Sequence, residues 1–527
     1  MEKIKIAGFC SSHDCSYAIL ENGIPILHNE LERFVRSKEP SGDGIEFMLN
    51  TYKDVNEIKH FTHCVDTTFS QYKETLNQLN EVVTKNGGKF HMPGHHASHA
   101  ANAFFSSNFD EALIVTIDGG GRDYTPNGDV MITAFTFWEG KGNKIKEIEI
   151  LPTTVSNIGW IWNQATSRIF GLSNGAPKGN QAGSVMAMAC MGDSEKYFDT
   201  FYNAGFKDNS TLDYDYFKNI ASKSEQDMFD VAAALQKATE VIIKEFIDKH
   251  IKDSHNYLCL SGGVVLNSVM VGKLYDWYPQ IKDIYICPVP YDAGLAIGAA
   301  QYVWHQTLDN PRIKWEDNNT PYLGKTYDKT EVKLAINNFL NKIDYKEISD
   351  DEVVDLLSNN EGNVISVYGG GSESGRRALG NRSILADPRN PKMKDIINEK
   401  VKHRQWYRPF APSILKEDTS DWFERDVNSP YMTAVIKFKE EVRDKVPAVC
   451  HFDGSARLQT VTEKDNKWYY NFIKKFKDKT NVPIVLNTSF NDREPIVETP
   501  THAINCFLGT NIDYLYFRDF GIILTKK

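Results

Sequence analysis

His95 and His99 stand four residues apart after Pro93-Gly94, and a helix starting there puts both imidazoles on one face, one turn apart. His96 then points elsewhere. Two imidazoles at this spacing can each sit about 2.0–2.1 Å from a divalent ion, as in other helical H-x-x-x-H pairs. A lone pair of this kind is more often a surface or capping feature, so its company decides. Asp118 closes an apolar strand signal shortly afterwards, and Asp292 lies in the turn Pro288-Val289-Pro290-Tyr291-Asp292-Ala293-Gly294, just ahead of a helix-like stretch. Two histidines and two aspartates make a hard-to-borderline donor set that suits Fe(II), Mn(II) or Zn(II).

A second constellation is cationic. The run Gly371 to Ser383 carries Arg376, Arg377 and Arg382 among glycines, and Lys402-His403-Arg404 and Arg408-Pro409-Phe410-Ala411-Pro412 follow closely. Guanidinium forks pair with phosphate oxygens bidentately, so such a cluster suits phosphate ligands. A solvated basic face is the usual meaning of clustered charge. Here the cations alternate with Gly, Pro and aromatic residues rather than with acids, which favours a pocket. Gly119-Gly120-Gly121 and Gly262-Gly263 each follow a strand signal, and glycine loops in that place leave N–H groups facing an anion. One such loop reads as a tight turn; two in one α/β region favour a nucleotide cleft. Gly369-Gly370-Gly371 supplies a third.

The elements that must position these groups are legible in outline. Residues 3–9, 17–20 and 24–27 read as consecutive strands, with Asn22-Gly23 as the tight turn between the last two. Residues 112–117 and 257–260 read as strands entering the first two glycine loops. Asp227 to Lys252 has the period of a long amphipathic helix, and Asp292 to Gln306 reads as a helix rich in small residues. From Asn310 to Tyr327 the chain turns polar, with Pro311, Pro321 and the run Glu316-Asp317-Asn318-Asn319, which marks the linker. The domains expected are therefore 1–312 and 313–527, the second again alternating helix and strand signals.

At 527 residues the chain exceeds what one hydrophobic core usually supports. Its 41% hydrophobic and 25% charged residues are ordinary for a globular protein, and no apolar run reaches the roughly 18 residues that span a bilayer. No membrane association is expected. The segment from Met1 to Ser11 is too short and strand-like for a signal peptide, so a cytoplasmic address is expected. Eight scattered cysteines without a C-x-x-C pair read as reduced thiols. A net charge of -10 argues against extended nucleic-acid binding.

Longer motifs carry a resemblance. Ser12-His13-Asp14, Glu32-Arg33-Phe34-Val35-Arg36-Ser37-Lys38, the His95 to Ala100 motif, Asp118 to Gly121, Ser261 to Asn267 and Pro288 to Ala300 resemble the carbamoyltransferase family. So do Asp453 to Thr460 and Asn487-Thr488-Ser489-Phe490-Asn491 farther on. That family comprises the nodulation-factor, cephem and tobramycin O-carbamoyltransferases. The resemblance covers nearly the whole chain and implies an α/β fold. Its N-terminal domain is similar to tRNA threonylcarbamoyl transferases, an actin-like (ASKHA) ATPase fold of two ribonuclease-H-like halves. A YrdC-like α/β domain, similar to makers of threonylcarbamoyl adenylate, follows.

The resemblance also implies an activity. Carbamoyl phosphate and ATP, with Mg²⁺ on its phosphates, yield carbamoyl adenylate in domain 313–527, and domain 1–312 transfers the carbamoyl group to a hydroxyl of a small-molecule, sugar or nucleotide acceptor. His95, His99, Asp118 and Asp292 become the ligands of one metal, Fe²⁺ first, with Zn²⁺ or Mn²⁺ as alternatives, and His13 the general base. Lys38, Gly119, Gly120, Gly121, Gly262, Gly263, Asn267, Arg377 and Arg457 fall at nucleotide or carbamoyl contacts, joined by the K-x-R pair Lys402 and Arg404 and the S-x-N pair Ser489 and Asn491. A homodimer is compatible with this reading. Rivals are carbamoylation of an amine or nucleobase, as in tRNA modification, and a non-catalytic nucleotide-binding partner protein. The chain departs from the family pattern at Ser374-Gly375-Arg376-Arg377, at Gln405 and at Ala182-Gly183-Ser184. Acceptor loops are expected at 41–46 and 160–178, with Trp160, Trp162 and Phe170 as stacking candidates.

Overall fold

The computed structural model describes residues 3–64, 72–124, 130–173, 181–208, 211–314, 321–359 and 361–527. They fall into two compact units, 1–318 and 319–527, a few residues past the expected division. Glu316 to Asn319 of the expected linker, and residues 174–178 of the second acceptor loop, lie outside the described residues. The flanks of that linker are not loose. Arg312 donates to the carbonyls of Phe104 and Ser107 at 2.6 and 2.9 Å, and the Tyr322 hydroxyl donates to Leu379 O at 2.9 Å.

The first unit holds two five-stranded sheets with one topology. Strands β1 (Lys5–Cys10), β2 (Ser16–Glu21), β3 (Ile24–Glu30), β4 (Ile58–His63) and β5 (Lys89–His91) stand in the order β3-β2-β1-β4-β5. Strands β6 (Glu111–Tyr124), β7 (Val130–Lys141), β8 (Lys144–Pro152), β9 (Tyr257–Ser261) and β10 (Asp283–Ile286) stand in the order β10-β9-β6-β7-β8. In each, an antiparallel meander is extended by two parallel strands beside its first strand. This repeated pattern is the pair of ribonuclease-H-like halves of an actin-like fold. Asn22 and Gly23 carry φ of 51° and 83°, the left-handed pair that a two-residue hairpin turn requires.

Two helices exchange sheets. The helix His95–Phe105 follows β5 but packs on β6 and β9; the helix Leu295–Tyr302 follows β10 but packs on β1 and β2, and the two helices cross. The approach is close enough to require glycine. A Cβ at Gly8 would sit 1.9 Å from Ala296 O, and one at Gly298 would sit 1.9 Å from Ser98 O. The small-residue composition of the Leu295 helix therefore serves backbone contact, and the crossing brings ligand types from distant sequence together.

The expected helix 227–252 spans Glu225–Asp248, capped by Ser224, whose hydroxyl accepts from Asp227 N. One expectation fails at Asp118 to Gly121. The strand does not end in a loop but continues to Tyr124 through a register shift between Ile117 and Gly121, because the glycines let a bulge form and pairing resume at Gly121 opposite Thr133.

The second unit is a mixed α/β domain. Its strands β11 (Ile343–Glu347), β12 (Ile365–Tyr368), β13 (Arg382–Ala386), β14 (Ala411–Leu415), β15 (Ala434–Lys437), β16 (Ser455–Val461), β17 (Ile484–Ser489), β18 (Tyr514–Phe517) and β19 (Ile522–Lys526) form one nine-stranded sheet, ordered β11-β19-β18-β12-β13-β17-β14-β16-β15. The helix Lys467–Thr480 buries Tyr469, Phe472, Ile473 and Phe476. Among the described residues no helix is long and apolar enough to cross a membrane.

Candidate functional site

The crossing of the two helices gathers His95, His99, Asp118 and Asp292, with one donor atom from each lying within 4.8 Å of the others. His95 Nε2 and His99 Nε2 are both 3.1 Å from Asp118 Oδ2, and 3.8 and 3.4 Å from Asp292 Oδ1. Both histidines are buried. Their neighbours fix each donor. Ser261 Oγ donates to Pro290 O at 3.1 Å, so it accepts from His99 Nδ1 at 3.2 Å and leaves Nε2 as the free lone pair. Asp118 Oδ1 accepts from the N–H groups of Gly119 (2.7 Å) and Gly263 (3.4 Å), which turns Oδ2 toward the imidazoles.

The Asp292 turn is tied to the opposite sheet. Ser16 Oγ and His28 Nε2 both donate to Ala293 O, at 2.8 and 2.9 Å, and the Tyr291 hydroxyl donates to Glu30. Gly121 makes room for a ligand ring, since a Cβ there would lie 2.1 Å from His95 Cγ. Asp123, farther along β6, holds the helix N-terminus. It accepts the His96 backbone N–H at Oδ1 and the His96 ring N–H at Oδ2, each at 2.8 Å. The helix cap itself, Gly94, offers no side chain, so Asp123 does this work from another element.

The electrostatics fit a cation. Burial alone would lower the His95 pKa, but the Asp292 and Asp118 carboxylates outweigh it and raise it to about 10. Burial opposes the Asp118 charge, yet its histidine partners hold it well below the usual range. Two carboxylates and two imidazoles gathered this closely suit a divalent ion, whose binding releases protons from its ligands.

His13 lies in the turn between β1 and β2, flanked by Ser12 and Asp14 at φ 77° and 54°, left-handed values that are costly for non-glycine residues. Its Nε2 is 3.6 Å from Asp292 Oδ2, and its Nδ1 3.4 Å from Asp14 Oδ2. The hydrogen bond to Asp14, then the Asp292 charge, raise its pKa to about 9. Both carboxylates thus favour the protonated form of the imidazole.

Other expected contacts have different surroundings. The Gly119 and Gly263 amides face Asp118 rather than an open anion cradle, and Gly262 N donates to Pro290 O at 2.7 Å. Asn267 caps the helix Ser268–Trp277 and exchanges amide hydrogen bonds with Gln236 at 2.8 and 3.1 Å. Lys38 lies exposed beyond the helix Leu31–Val35. Trp162 is buried with its indole N–H on Thr239, whereas Trp160 stays half-exposed.

In the second unit the K-x-R and S-x-N pairs meet. Lys402 Nζ donates to Ser489 O, to Asn491 O at 2.8 Å and to Asn491 Oδ1 at 2.6 Å. Ser489 Oγ donates to Asn491 Oδ1 at 2.7 Å. Arg404 is anchored by Asn398 Oδ1 at 2.7 Å and lies 4.5 Å above the Phe410 ring. Burial lowers the pKa of Arg404, and Arg408 and Arg457 add to the effect; burial lowers that of Arg457, with Arg377 and Arg408 adding. These four guanidinium groups are close enough for their charges to act on one another, and each side chain remains partly exposed. Among the described residues no carboxylate is ion-paired with Arg404, Arg408 or Arg457, and Arg457 Nε has no partner. Cations gathered in this way suit an anionic ligand.

Arg382 does not join them. It is fully buried, donates to the carbonyls of Gly369 and Asn381 at 2.8 and 3.0 Å, and stacks 3.6 Å above Tyr368. Its place in a glycine-rich basic run is structural. Asp123, Ser261 and Asp14 are the site residues that spacing alone does not find; the one signal was His96, a buried ligand-helix histidine off the ligand face that requires a partner.

Residues 53–301 match the domain family described as Carbamoyltransferase N-terminus, and residues 355–524 that described as Carbamoyltransferase C-terminus. An uncharacterized protein of Synechocystis sp. is 31% identical over 98% of this chain and 96% of its own length. Nodulation protein NolO of Bradyrhizobium diazoefficiens is 36% identical over 81% of this chain and 78% of its own. Among solved structures, HypF of T. kodakarensis is similar with a TM-score of 0.38 and 13% identity, over 58% of this chain and 48% of that one. Both domain matches and the relatives at this coverage make the chain a transferase enzyme of the carbamoyltransferase family.

Proposed function

We propose that the protein is an ATP-dependent O-carbamoyltransferase working in two steps. The observation that carries this reading is the coexistence of two differently built sites, a His/Asp cluster in the first unit and a group of neighbouring arginines in the second. At these arginines, carbamoyl phosphate loses phosphate to water and gives carbamate. The carbamate oxygen attacks the α-phosphorus of ATP, forming carbamoyl adenylate and releasing pyrophosphate. Arg377, Arg404, Arg408 and Arg457 neutralise the phosphates, with Mg²⁺ sharing the charge. Lys402, Ser489 and Asn491 form one hydrogen-bonded group that fixes the neighbouring wall.

In the first unit, His95, His99, Asp118 and Asp292 would hold one divalent ion, Fe(II) with Zn(II) or Mn(II) as alternatives. Two imidazole nitrogens and two carboxylate oxygens within 4.8 Å suit that donor set. When bound, the ion supplies fixed positive charge beside the reacting carbonyl. It would also draw the Asp292 charge away from His13, weakening one of the causes that raise its pKa. His13 then takes the proton of an acceptor hydroxyl, whose oxygen attacks the carbamoyl carbon while AMP leaves. The test is pyrophosphate release. It is expected only when ATP and carbamoyl phosphate are supplied together; release from ATP alone, or none at all, would contradict the reading.

A further inference from the structure

We infer that His60 and His91 form a second metal site, a two-imidazole chelate for a borderline divalent ion of the Ni(II), Cu(II) and Zn(II) class, separate from the His95 cluster. His91 Nε2 lies 3.1 Å from His60 Nδ1, and the ring centroids are 5.2 Å apart. Two nitrogens at that spacing, each about 2.0–2.1 Å from one ion, subtend about 100° at it. That angle lies between those of tetragonal and tetrahedral centres, the geometries that imidazole-bound ions of this class adopt.

The sheet holds the pair in place. His60 stands on β4 and His91 on the edge strand β5, in a parallel register that sets Lys89 opposite His60 and His91 opposite Thr62. Phe61 and Phe90, 4.8 Å apart, belong to the core that the helix Lys73–Lys85 covers. Strand alternation therefore turns His60, Thr62 and His91 to the other face. Both imidazoles are half-buried there, so an ion reaches them from water. Burial is the first cause that lowers the pKa of each, that of His91 to about 4; Lys59 and Lys89 add to it, and no carboxylate acts on either ring. Both rings are neutral near pH 7, which is the form that ligates a metal.

A hydrogen bond between the rings accounts for their distance but leaves Thr62 over. Its hydroxyl is fully buried and has no partner among the described residues. A buried hydroxyl left unpaired is costly. With two protein donors the ion keeps water in its other positions, and a metal-bound water on the Thr62 side supplies the missing hydrogen bond. Binding costs no net proton: the ring that carries the bridging proton gives it up and takes one on its other nitrogen.

The test is calorimetric titration of the metal-free full chain with Ni(II). Wild type should take up one equivalent more than His60→Gln or His91→Gln, each of which should weaken that equivalent at least about 100-fold, more than the loss of an outer partner of a ligand. The same equivalent should raise the Tm of wild type and leave that of the two variants unmoved, while unchanged Tm values without metal show that the variants fold. His99→Ala, which lacks a donor of the first cluster, should keep the equivalent. Equal Ni(II) uptake by wild type and both variants would overturn the second site, and so would loss of that equivalent in folded His99→Ala.

Discussion

Asp123 grips His96 twice, through the backbone N–H and through the ring N–H, each at 2.8 Å. The carboxylate stands on β6, the strand that also carries Asp118, and His96 stands between His95 and His99. Helix and strand are thereby locked in the register that sets His95 and His99 against Asp118. Burial alone would raise the Asp123 pKa; the His96 ring holds it below the ordinary carboxyl range. In Asp123→Asn, an amide NH₂ replaces one acceptor, and the buried His96 N–H loses its partner. We expect a loss of about 1–3 kcal/mol in stability and a roughly 10–100-fold weaker metal affinity. Metal titration beside thermal unfolding checks both.

Gly121 offers a steric version of the same test. A Cβ there would fall 2.1 Å from His95 Cγ, so Gly121→Ala must displace the ring or the strand. Overpacking of this kind costs about 1–3 kcal/mol. The variant should fold with a lowered Tm and bind no stoichiometric metal by elemental analysis.

His99→Ala removes a ligand rather than displacing one. It should lose the metal, and with it transfer, while keeping carbamoyl-dependent pyrophosphate release, since the arginine group belongs to the other unit. Full metal content in folded His99→Ala would contradict the assignment of that side chain.

Acid stability should depend on His305. Burial, then the Arg312 charge, hold its pKa to about 3, below the unfolded value near 6.5. Above pH 6.5 neither state binds the proton and the residue is neutral in effect. As pH falls from 6.5 toward 3 the unfolded chain binds a proton that the folded one refuses, so stability declines. At pH 5 the penalty is about 2 kcal/mol. Denaturant unfolding at pH 7.5 and 5 should therefore show wild type losing about 2 kcal/mol more than His305→Gln.

Much of the first site was legible because its signals are local. An i, i+4 histidine pair declares one helix face, and the Asn22-Gly23 turn declares a hairpin. The proximity of Asp292 to His95 is not local; it depends on helices that exchange sheets, and Gly8 and Gly298 make that exchange possible only once their neighbours are known. Asp123 was invisible because a carboxylate after three glycines has no spacing that aims it at His96. Arg382 was misread for a simpler reason: a guanidinium turned inward onto carbonyls and one turned toward a phosphate are the same letter in the same glycine-rich run. The strand through Asp118 to Gly121 was taken for a loop because a bulge and a turn use the same residues.

The division of the two chemistries is the central claim, and pyrophosphate release in His13→Asn tests it most directly. In the proposed two-step reaction His13 serves transfer alone, so His13→Asn should release pyrophosphate from ATP and carbamoyl phosphate as wild type does, yet deliver no carbamoyl group to an acceptor. Arg457→Ala should fail to release pyrophosphate but transfer the group when carbamoyl adenylate is supplied. Loss of pyrophosphate release in folded His13→Asn, or no rescue of Arg457→Ala by the adenylate, would contradict the account.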